Sequence, residues 1–306
     1  MRGSLPSSLS PIKIRNKFIS IFNQLRPEDI ATAESRKHFL EGLPPWLYGT
    51  VGGNTPCVSL STEGFNEPLV FDCGSGLREM GITYCHKIAQ PVKYHIFFSH
   101  FHWDHMQGLP FFIPAYKPAV TMDYYSPFVN MENALFGQMN MPYFPIQMEN
   151  LAAKRNFHLL SDSLTIGPYT VSFRKMNHPG VSYAYRINQN GKTLIYATDA
   201  ELSTNDFTKS EENTAFFSNA DMVIMDSQYT LGEAIEKFNW GHSAFSMAVD
   251  FAVNWGVKHL ILFHHDPEYD DRKLYGLLQA ARWYLQRMNV ADIEITLAVE
   301  GLEITL

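Results

Sequence analysis

One short segment limits what this chain can be more than any other. His100-Phe101-His102-Trp103-Asp104-His105 places four metal-ligating side chains within six residues, directly after the apolar run 95–99 that is typical of a buried strand. Zn²⁺ and Mn²⁺ accept imidazole nitrogens and carboxylate oxygens. Four donors this close cannot surround one tetrahedral ion without strain. The spacing therefore predicts two adjacent ions, with His100 and His102 on one and Asp104 and His105 on the other; a histidine-rich surface loop is the alternative.

Composition narrows the class of protein. The chain has 306 residues, 45% of them hydrophobic, and a net charge of -7, which fits a globular enzyme and disfavours long nucleic acid as a partner. Its three cysteines lack CxxC spacing, which argues against a disulfide scaffold or a thiolate zinc site and fits a reducing cytoplasm. No apolar run approaches the roughly 20 residues that span a bilayer, and the N-terminus lacks the apolar stretch of a signal peptide. We therefore expect a cytoplasmic protein without a membrane partner.

We expect a single domain over residues 1–306 with a helical insertion at about 7–46. Apolar residues recur at helical spacing in its first half, and Pro27-Glu28-Asp29 predicts the start of a second helix that ends near Gly42. The apolar stripe consists of Ile14, Phe18, Ile21, Phe22 and Leu25. Packing against the body is our main interpretation of this stripe; a homodimer contact and a lid are the alternatives.

Short apolar or alternating runs predict the strands of a sheet structure covered by helices. They lie at 57–60, 69–71, 94–99, 170–174, 182–187, 193–197, 222–225, 260–263, 293–297 and 302–306. A helix is expected after Gly76 and through His86. Three further metal-ligating side chains follow predicted strands: His178, Asp199 and His264. Strand ends hold ligands rigidly, so these three extend the first cluster into a site for two metals.

The order HxHxDH, His, Asp, His resembles the metallo-β-lactamase fold superfamily of binuclear hydrolases. The resemblance implies an α/β (α+β) fold, an αβ/βα four-layer sandwich of two mixed sheets between outer helices. It also implies that His100, His102 and His178 hold one metal, that Asp104, His105 and His264 hold the other, and that Asp199 bridges them. Zn²⁺ is the first candidate for both ions, with Mn²⁺ or Fe²⁺ as alternatives.

Further residues resemble the ribonuclease Z and phosphodiesterase branch of that superfamily. They are the carboxylate at Asp199, where true β-lactamases have cysteine, Trp240-Gly241-His242-Ser243, and the loop 262–269. The HxHWDH and FHHDP sequences are similar to small bacterial members. The Gly- and Lys-rich arm with which ribonuclease Z grips tRNA has no counterpart in the sequence. The segment 7–46 also separates Arg2-Gly3-Ser4-Leu5-Pro6 from Gly52-Gly53-Asn54, which usually follow more closely.

The expected chemistry is hydrolysis of a small phosphodiester, such as a cyclic nucleotide. Two metals about 3.5–4 Å apart lower the pKa of a shared water. We assign Asp104 as ligand and general base, and His242, oriented by Asp226, as the acid for the leaving group. Asp72 is either a turn acid or the acceptor that fixes a ligand histidine, and we favour the second. A tRNA 3′-endonuclease-like ribonuclease, a thioester or lactone hydrolase, and a non-enzymatic metal sensor are the alternative functions.

Overall fold

The first of the two sheets contains the strand that leads into the HxHxDH segment. The computed structural model describes residues 1–85, 92–290 and 293–306. The strands of this sheet lie in the order β1-β2-β3-β4-β5 and are Val58–Thr62, Phe65–Phe71, Lys93–Phe97, Thr121–Ser126 and Lys154–Leu159. β1 and β2 form an antiparallel hairpin, and β2 to β5 run parallel. The carboxyl ends of β2 to β5 therefore lie at one edge of the sheet.

The second sheet has seven strands in the order β12-β11-β10-β9-β8-β7-β6. From β6 to β12 they are Leu164–Ile166, Tyr169–Met176, Ser182–Gln189, Lys192–Ala197, Met222–Asp226, His259–Phe263 and Glu294–Leu297. β9 to β12 pair in parallel, while β6 to β9 pair antiparallel. Because β7 and β9 are both antiparallel to β8, strands β7, β9, β10 and β11 all end at the same edge.

Among the described residues, the helices are α1 Pro11–Phe22, α2 Ala33–Gly42, α3 Pro45–Tyr48, α4 Gly76–Cys85, α5 Trp103–Met106, α6 Met131–Gln138, α7 Thr204–Phe207, α8 Glu211–Phe217, α9 Leu231–Glu236, α10 Phe245–Trp255 and α11 Asp271–Met288. Four of the helices, α4, α6, α10 and α11, cover the outer faces of the two sheets. Short 3-10 turns lie at Pro27–Ile30, Leu109–Phe111, Ile113–Tyr116 and Met148–Asn150. Gly256 caps the end of α10 and Asn289 caps the end of α11. Both residues adopt the left-handed conformation that ends many helices.

Three apolar clusters join these layers. Phe71 and Phe97 of the first sheet stack on each other and contact Tyr185 of the second sheet. A second cluster lies between the first sheet and α4 and α6, and a third lies between the second sheet and α10 and α11. The resulting order of helices, sheet, sheet and helices confirms the expected four-layer sandwich.

The sequence located most strands and missed three. β4, β5 and β6 were not predicted. The predicted strand at 302–306 is wrong: its residues alternate in hydropathy, but they lie exposed beyond β12 without a strand partner in the described structure. Alternation alone does not make a strand, because a strand needs a neighbour for its main-chain hydrogen bonds. Residue 86, the predicted end of the helix now labelled α4, lies outside the described residues.

The segment 7–46, which we call the helical arm, contains α1 and α2. The second helix begins at Ala33, capped by Thr32, and not at Pro27, where only a 3-10 turn forms. Packing against the body accounts for only part of the apolar stripe: Ile21 and Leu25 are half-buried, whereas Ile14, Phe18 and Phe22 are exposed. Within the described ranges, no helix combines the length and the apolar character that crossing a membrane requires.

Candidate metal centre

The predicted ligands meet at the shared edge of the two sheets, each just beyond the end of a strand. The ends of β2 and β3 deliver Asp72 and the segment from His100 to His105, and the ends of β7, β9, β10 and β11 deliver His178, Asp199, Asp226 and His264. The sandwich therefore brings residues from both sheets into one cluster. A binding site at the carboxyl ends of strands is common in α/β proteins.

The first ligand group consists of His100, His102, His178 and Asp199. One ligand atom from each lies within 4.8 Å of the others. Nε2 of His178 is 3.2 Å from Nδ1 of His102 and 3.8 Å from Oδ2 of Asp199, and Nε2 of His100 is 3.5 Å from the same oxygen. Three imidazoles and a carboxylate at this spacing match the donor set that zinc binds.

The second group consists of Asp104, His105 and His264, again with Asp199. Nε2 of His105 is 3.2 Å from Oδ2 of Asp104 and 3.1 Å from Oδ1 of Asp199. Nδ1 of His264 is 2.9 Å from that same Oδ1. Asp199 thus turns Oδ2 towards the first group and Oδ1 towards the second, which is the arrangement that a bridging carboxylate needs.

The chemistry of these donors fits two cations. The buried Nε2 atoms of His100, His105 and His264 have no hydrogen-bond partner. Burial lowers the pKa of His100 well below its ordinary value, so its ring is neutral and offers a lone pair. Burial opposes a charge on His105 as well, yet Asp199, Asp104 and Asp72 together raise its pKa, which shows that this pocket attracts positive charge.

Backbone strain is concentrated at the same place. Among the described residues, nine other than glycine have positive φ, and four of these are asparagines, which tolerate that conformation. The remaining five are Ser4, Asp72, Val181, Asp199 and His264, with φ between 51° and 76°. All five are ligands of this cluster or touch or closely follow one. Strained residues of this kind gather at functional sites, where surrounding structure holds them in place.

Asp72 fixes the orientation of His105, which confirms the interpretation that we favoured for it. Its Oδ2 accepts hydrogen bonds from Nδ1 of His105 (2.8 Å), the hydroxyl of Tyr196 (2.8 Å) and the hydroxyl of Ser99 (2.7 Å). Its Oδ1 accepts from the main-chain N–H of Ser99 at 2.8 Å. Because Nδ1 of His105 donates to Asp72, the other ring nitrogen is left facing the cluster.

A loop before α10 supports His178. Nδ1 of His178 donates to the carbonyl of Gly241 at 2.8 Å, and a Cβ at Gly241 would lie only 2.3 Å from that nitrogen. Glu201 accepts the main-chain N–H groups of Asn239 and Gly241, both at 2.9 Å, and so holds the loop in place. Glycine is required here, and its φ of 90° suits no other residue well.

His242 and Asp226 form a pair beside the second group. Nδ1 of His242 donates to Oδ2 of Asp226 at 2.7 Å, and its ring stacks on that of His264 with 4.8 Å between centroids. Burial acts to lower the pKa of His242, but the Asp226 carboxylate outweighs it and raises the pKa to about 9. The contact with Asp226 therefore favours the protonated, proton-donating form of His242. Asp226, His242 and His264 also form a third group of ligand atoms within 4.8 Å, although Asp226 already occupies Nδ1 of His242.

Sequence reasoning missed the contribution of the N-terminal residues. The main-chain N–H of Ser4 donates to Oδ2 of Asp104 at 2.8 Å, and a Cβ at Gly3 would lie 2.3 Å from Nε2 of His264. Arg2 donates to the carbonyls of Asp266 and Tyr269 in the loop after His264. A main-chain donor leaves no sequence signal; the only available hint was the glycine in Arg2-Gly3-Ser4.

The two halves of that N-terminal motif are joined in space despite the helical arm. Arg2 N–H donates to the carbonyl of Asn54, and Ser7 N–H donates to the carbonyl of Gly53, both at 2.8 Å. The arm therefore leaves and re-enters the body at one point.

Within the described ranges, the remaining histidines and the acid that follows His265 do not enter the ligand groups. His265 bonds the carbonyl of Ala298 and Asp266 pairs with Lys237, so neither holds a ligand side chain. His95 contacts Glu67 and Tyr125, His158 stacks on Tyr125, and His259 contacts Thr296. His86 lies outside the described residues.

Comparison with known proteins agrees with this geometry. A family model described as "Beta-lactamase superfamily domain" matches residues 68–265. Ribonuclease Z of Prochlorococcus marinus is 23% identical over 284 residues, which cover 72% of this chain and 84% of that protein.

Two solved structures share the fold. The metallo-beta-lactamase fold protein YhfI from Bacillus subtilis superimposes with a TM-score of 0.60 at 20% identity, over 82% of this chain and 90% of that one. A diphosphatase of the PhnP family gives 0.58 at 17% identity, over 82% and 84%. The expected resemblance to the ribonuclease Z and phosphodiesterase branch is confirmed. The chain belongs to the metallo-β-lactamase superfamily and is a metal-dependent hydrolase of that family.

Proposed function

We propose that this protein is a binuclear metal phosphodiesterase that cleaves a small phosphodiester, such as a cyclic nucleotide. The observation that carries the proposal is the position of Asp199 between two ligand groups, with the ion pair of His242 and Asp226 beside them. One group is His100, His102 and His178, the other is Asp104, His105 and His264, and Asp199 belongs to both. Zn²⁺ is the proposed metal, with Mn²⁺ and Fe²⁺ as alternatives that elemental analysis of the native protein distinguishes.

The proposed mechanism assigns a role to each of three side chains. Two divalent cations held by these groups would activate water and neutralise charge on the phosphoryl oxygens. Asp104 accepts the proton of the attacking water, and the N–H of Ser4 keeps its Oδ2 in a fixed position for that transfer. His242 donates a proton to the leaving alkoxide through Nε2, while Asp226 orients the ring through Nδ1.

Two features favour a small diester over pre-tRNA. The chain has a net charge of -7, whereas a protein that grips tRNA needs a broad basic surface. Two tryptophans near the centre are exposed. Trp103 directly follows His102, and Trp240 directly precedes Gly241, whose carbonyl binds His178. Exposed indole rings beside the centre suit a substrate with a base or another flat apolar part.

The test is hydrolysis of bis(p-nitrophenyl) phosphate and cyclic AMP by metal-loaded protein. Asp104→Asn should abolish metal-dependent turnover, because it removes the charged ligand and base at nearly constant shape. Asp162→Asn is the matched control, since Asp162 is exposed and belongs to none of the ligand groups, and it should leave turnover unchanged. Absence of metal-dependent cleavage of both substrates by wild-type protein refutes the proposal.

The second candidate is a tRNA 3′-endonuclease, which the similarity to ribonuclease Z favours. It predicts cleavage of labelled pre-tRNA and a steep loss of pre-tRNA binding as salt increases. Pre-tRNA cleavage without turnover of either small diester would replace the first proposal with this one.

A further inference from the structure

The helical arm exposes a group of large apolar side chains on its outer face. Phe18 and Phe22 of α1 are 57% and 66% exposed, and they lie on one side of the helix with three isoleucines that are also exposed. These isoleucines are Ile12, Ile14 and Ile19; Ile30 and Leu40 extend the exposed apolar surface of the arm. Exposed apolar side chains that gather in one region of a protein often mark a binding surface.

The two helices of the arm bury little of their apolar surface within the chain. α1 has 12 residues and α2 has 10, and neither has a fully buried side chain, although Ile21 and Phe39 are half-buried. Isolated helices of this length are marginal in water, and in proteins most helix stability comes from burying an apolar face. A surface that covers the outer face of the arm would supply that burial.

The arm is nevertheless held firmly on its inner side. Lys17 of α1 pairs with Asp271, which begins α11, and also donates to the carbonyl of Gly49 at 2.6 Å. The carboxylate of Asp271 is fully buried and also accepts the main-chain N–H of Val51 at 3.0 Å. These contacts give the outer face one orientation, as an interface requires, and they argue against a freely moving lid.

We propose that the occupant of this face is a second copy of the chain, in a two-fold homodimer formed by the helical arms. The exposed apolar residues of the arm present roughly 700 Å² per chain, close to the approximately 800 Å² that each partner buries in a standard interface. A two-fold contact uses the same patch on both copies and leaves neither patch uncovered.

The charges of the arm are complementary to each other. α1 carries Lys13, Arg15 and Lys17 and no acidic residue, while residues 27–42 carry four acidic and two basic side chains. Arg15 lies within the apolar face and has no ion pair among the described residues. In a dimer that places α1 against α2 of the other copy, Arg15 would meet carboxylates. An anionic lipid surface fits less well, because the chain as a whole has a net charge of -7.

Light scattering coupled to gel filtration, on metal-loaded full-length protein at micromolar concentrations, tests this proposal. Wild-type protein should have twice the chain mass of 35.0 kDa, and the double variant Phe18→Glu/Phe22→Glu should have the mass of one chain. Trp283→Glu is the matched control: Trp283 is exposed on α11, outside the arm, so this variant should remain a dimer. A second variant, Arg15→Glu, should weaken the dimer without removing apolar surface.

Circular dichroism and bound metal separate loss of dimerisation from loss of folding. Both phenylalanines are exposed, so the double variant should keep its sheet signal and its metals. A wild-type mass of one chain, or an unchanged dimer in the double variant, overturns the proposal. So does flotation of monomeric wild-type protein with phosphatidylglycerol-containing vesicles, which would assign the face to a lipid surface.

Discussion

Replacement of Asp72 by asparagine tests whether this buried carboxylate organises the metal centre. The substitution keeps the shape of the side chain and removes its charge. Oδ2 of Asp72 accepts three hydrogen bonds and Oδ1 accepts a fourth, all between 2.7 and 2.8 Å. An asparagine has one oxygen and one NH₂ group, so in either orientation at least one donor of the protein faces another donor.

The expected cost follows from these contacts. One unsatisfied buried donor costs about 1–3 kcal/mol, and each bond that loses its charged acceptor weakens by roughly 0.5–1.5 kcal/mol. Because such effects in one network do not add fully, we expect Asp72→Asn to lower the free energy of unfolding by about 3–5 kcal/mol. His105 also loses the partner that fixes its ring, so affinity for the metal in the second group should fall roughly 10–100-fold.

Two measurements separate these effects. Urea unfolding of metal-free protein reports the stability change, and calorimetric titration with Zn²⁺ reports the affinity change. Asp162→Asn makes the same chemical change at an exposed site and should move neither quantity. Tyr196→Phe removes one donor without leaving another unsatisfied and should cost only about 1–2 kcal/mol. If Asp72→Asn unfolds within about 1 kcal/mol of wild type and binds zinc equally well, the assigned role of Asp72 is refuted.

Three further predictions concern other residues of the metal centre. The pKa of His242 is raised to about 9 and its protonated form is the proposed acid, so kcat should fall as pH rises through that range. In Asp226→Asn the fall in kcat should begin at lower pH. An unchanged pH–rate profile in this variant would exclude the pair of His242 and Asp226 as the acid. Gly3→Ala should push His264 aside and weaken metal binding roughly 10-fold or more by calorimetry, whereas Gly276→Ala, with open space around its Cβ, should bind normally. Asp199→Asn should lower bound metal below two equivalents by elemental analysis, since Asp199 belongs to both groups; full occupancy would contradict the bridging role.

The sequence alone predicted the chemistry of the site because that information is local. Four ligands in six residues indicate two metals, and a ligand directly after an apolar run indicates a strand end. These local patterns were enough to select every residue of the two ligand groups. The order of those residues along the chain carried the resemblance from which the sandwich fold was expected.

Local patterns failed where the outcome depended on neighbours. Residues 302–306 have the alternation of a strand, yet no strand lies beside them in the described structure. The apolar stripe of α1 has the spacing of a packed helix, yet its outer face remains exposed. Periodicity reports which side chains share a face, and it does not report whether anything covers that face.

Only the tertiary structure decided how Asp199 faces both ligand groups and which residues support the ligands. The two oxygens of Asp199 turn towards different groups because strands of both sheets end around it. The N–H of Ser4 reaches Asp104 across 100 residues of sequence, and Asp72 reaches Tyr196 across 124. Main-chain donors are the same in every residue except proline, and a single buried carboxylate looks like any other in a sequence. Their roles come from the distances that folding creates.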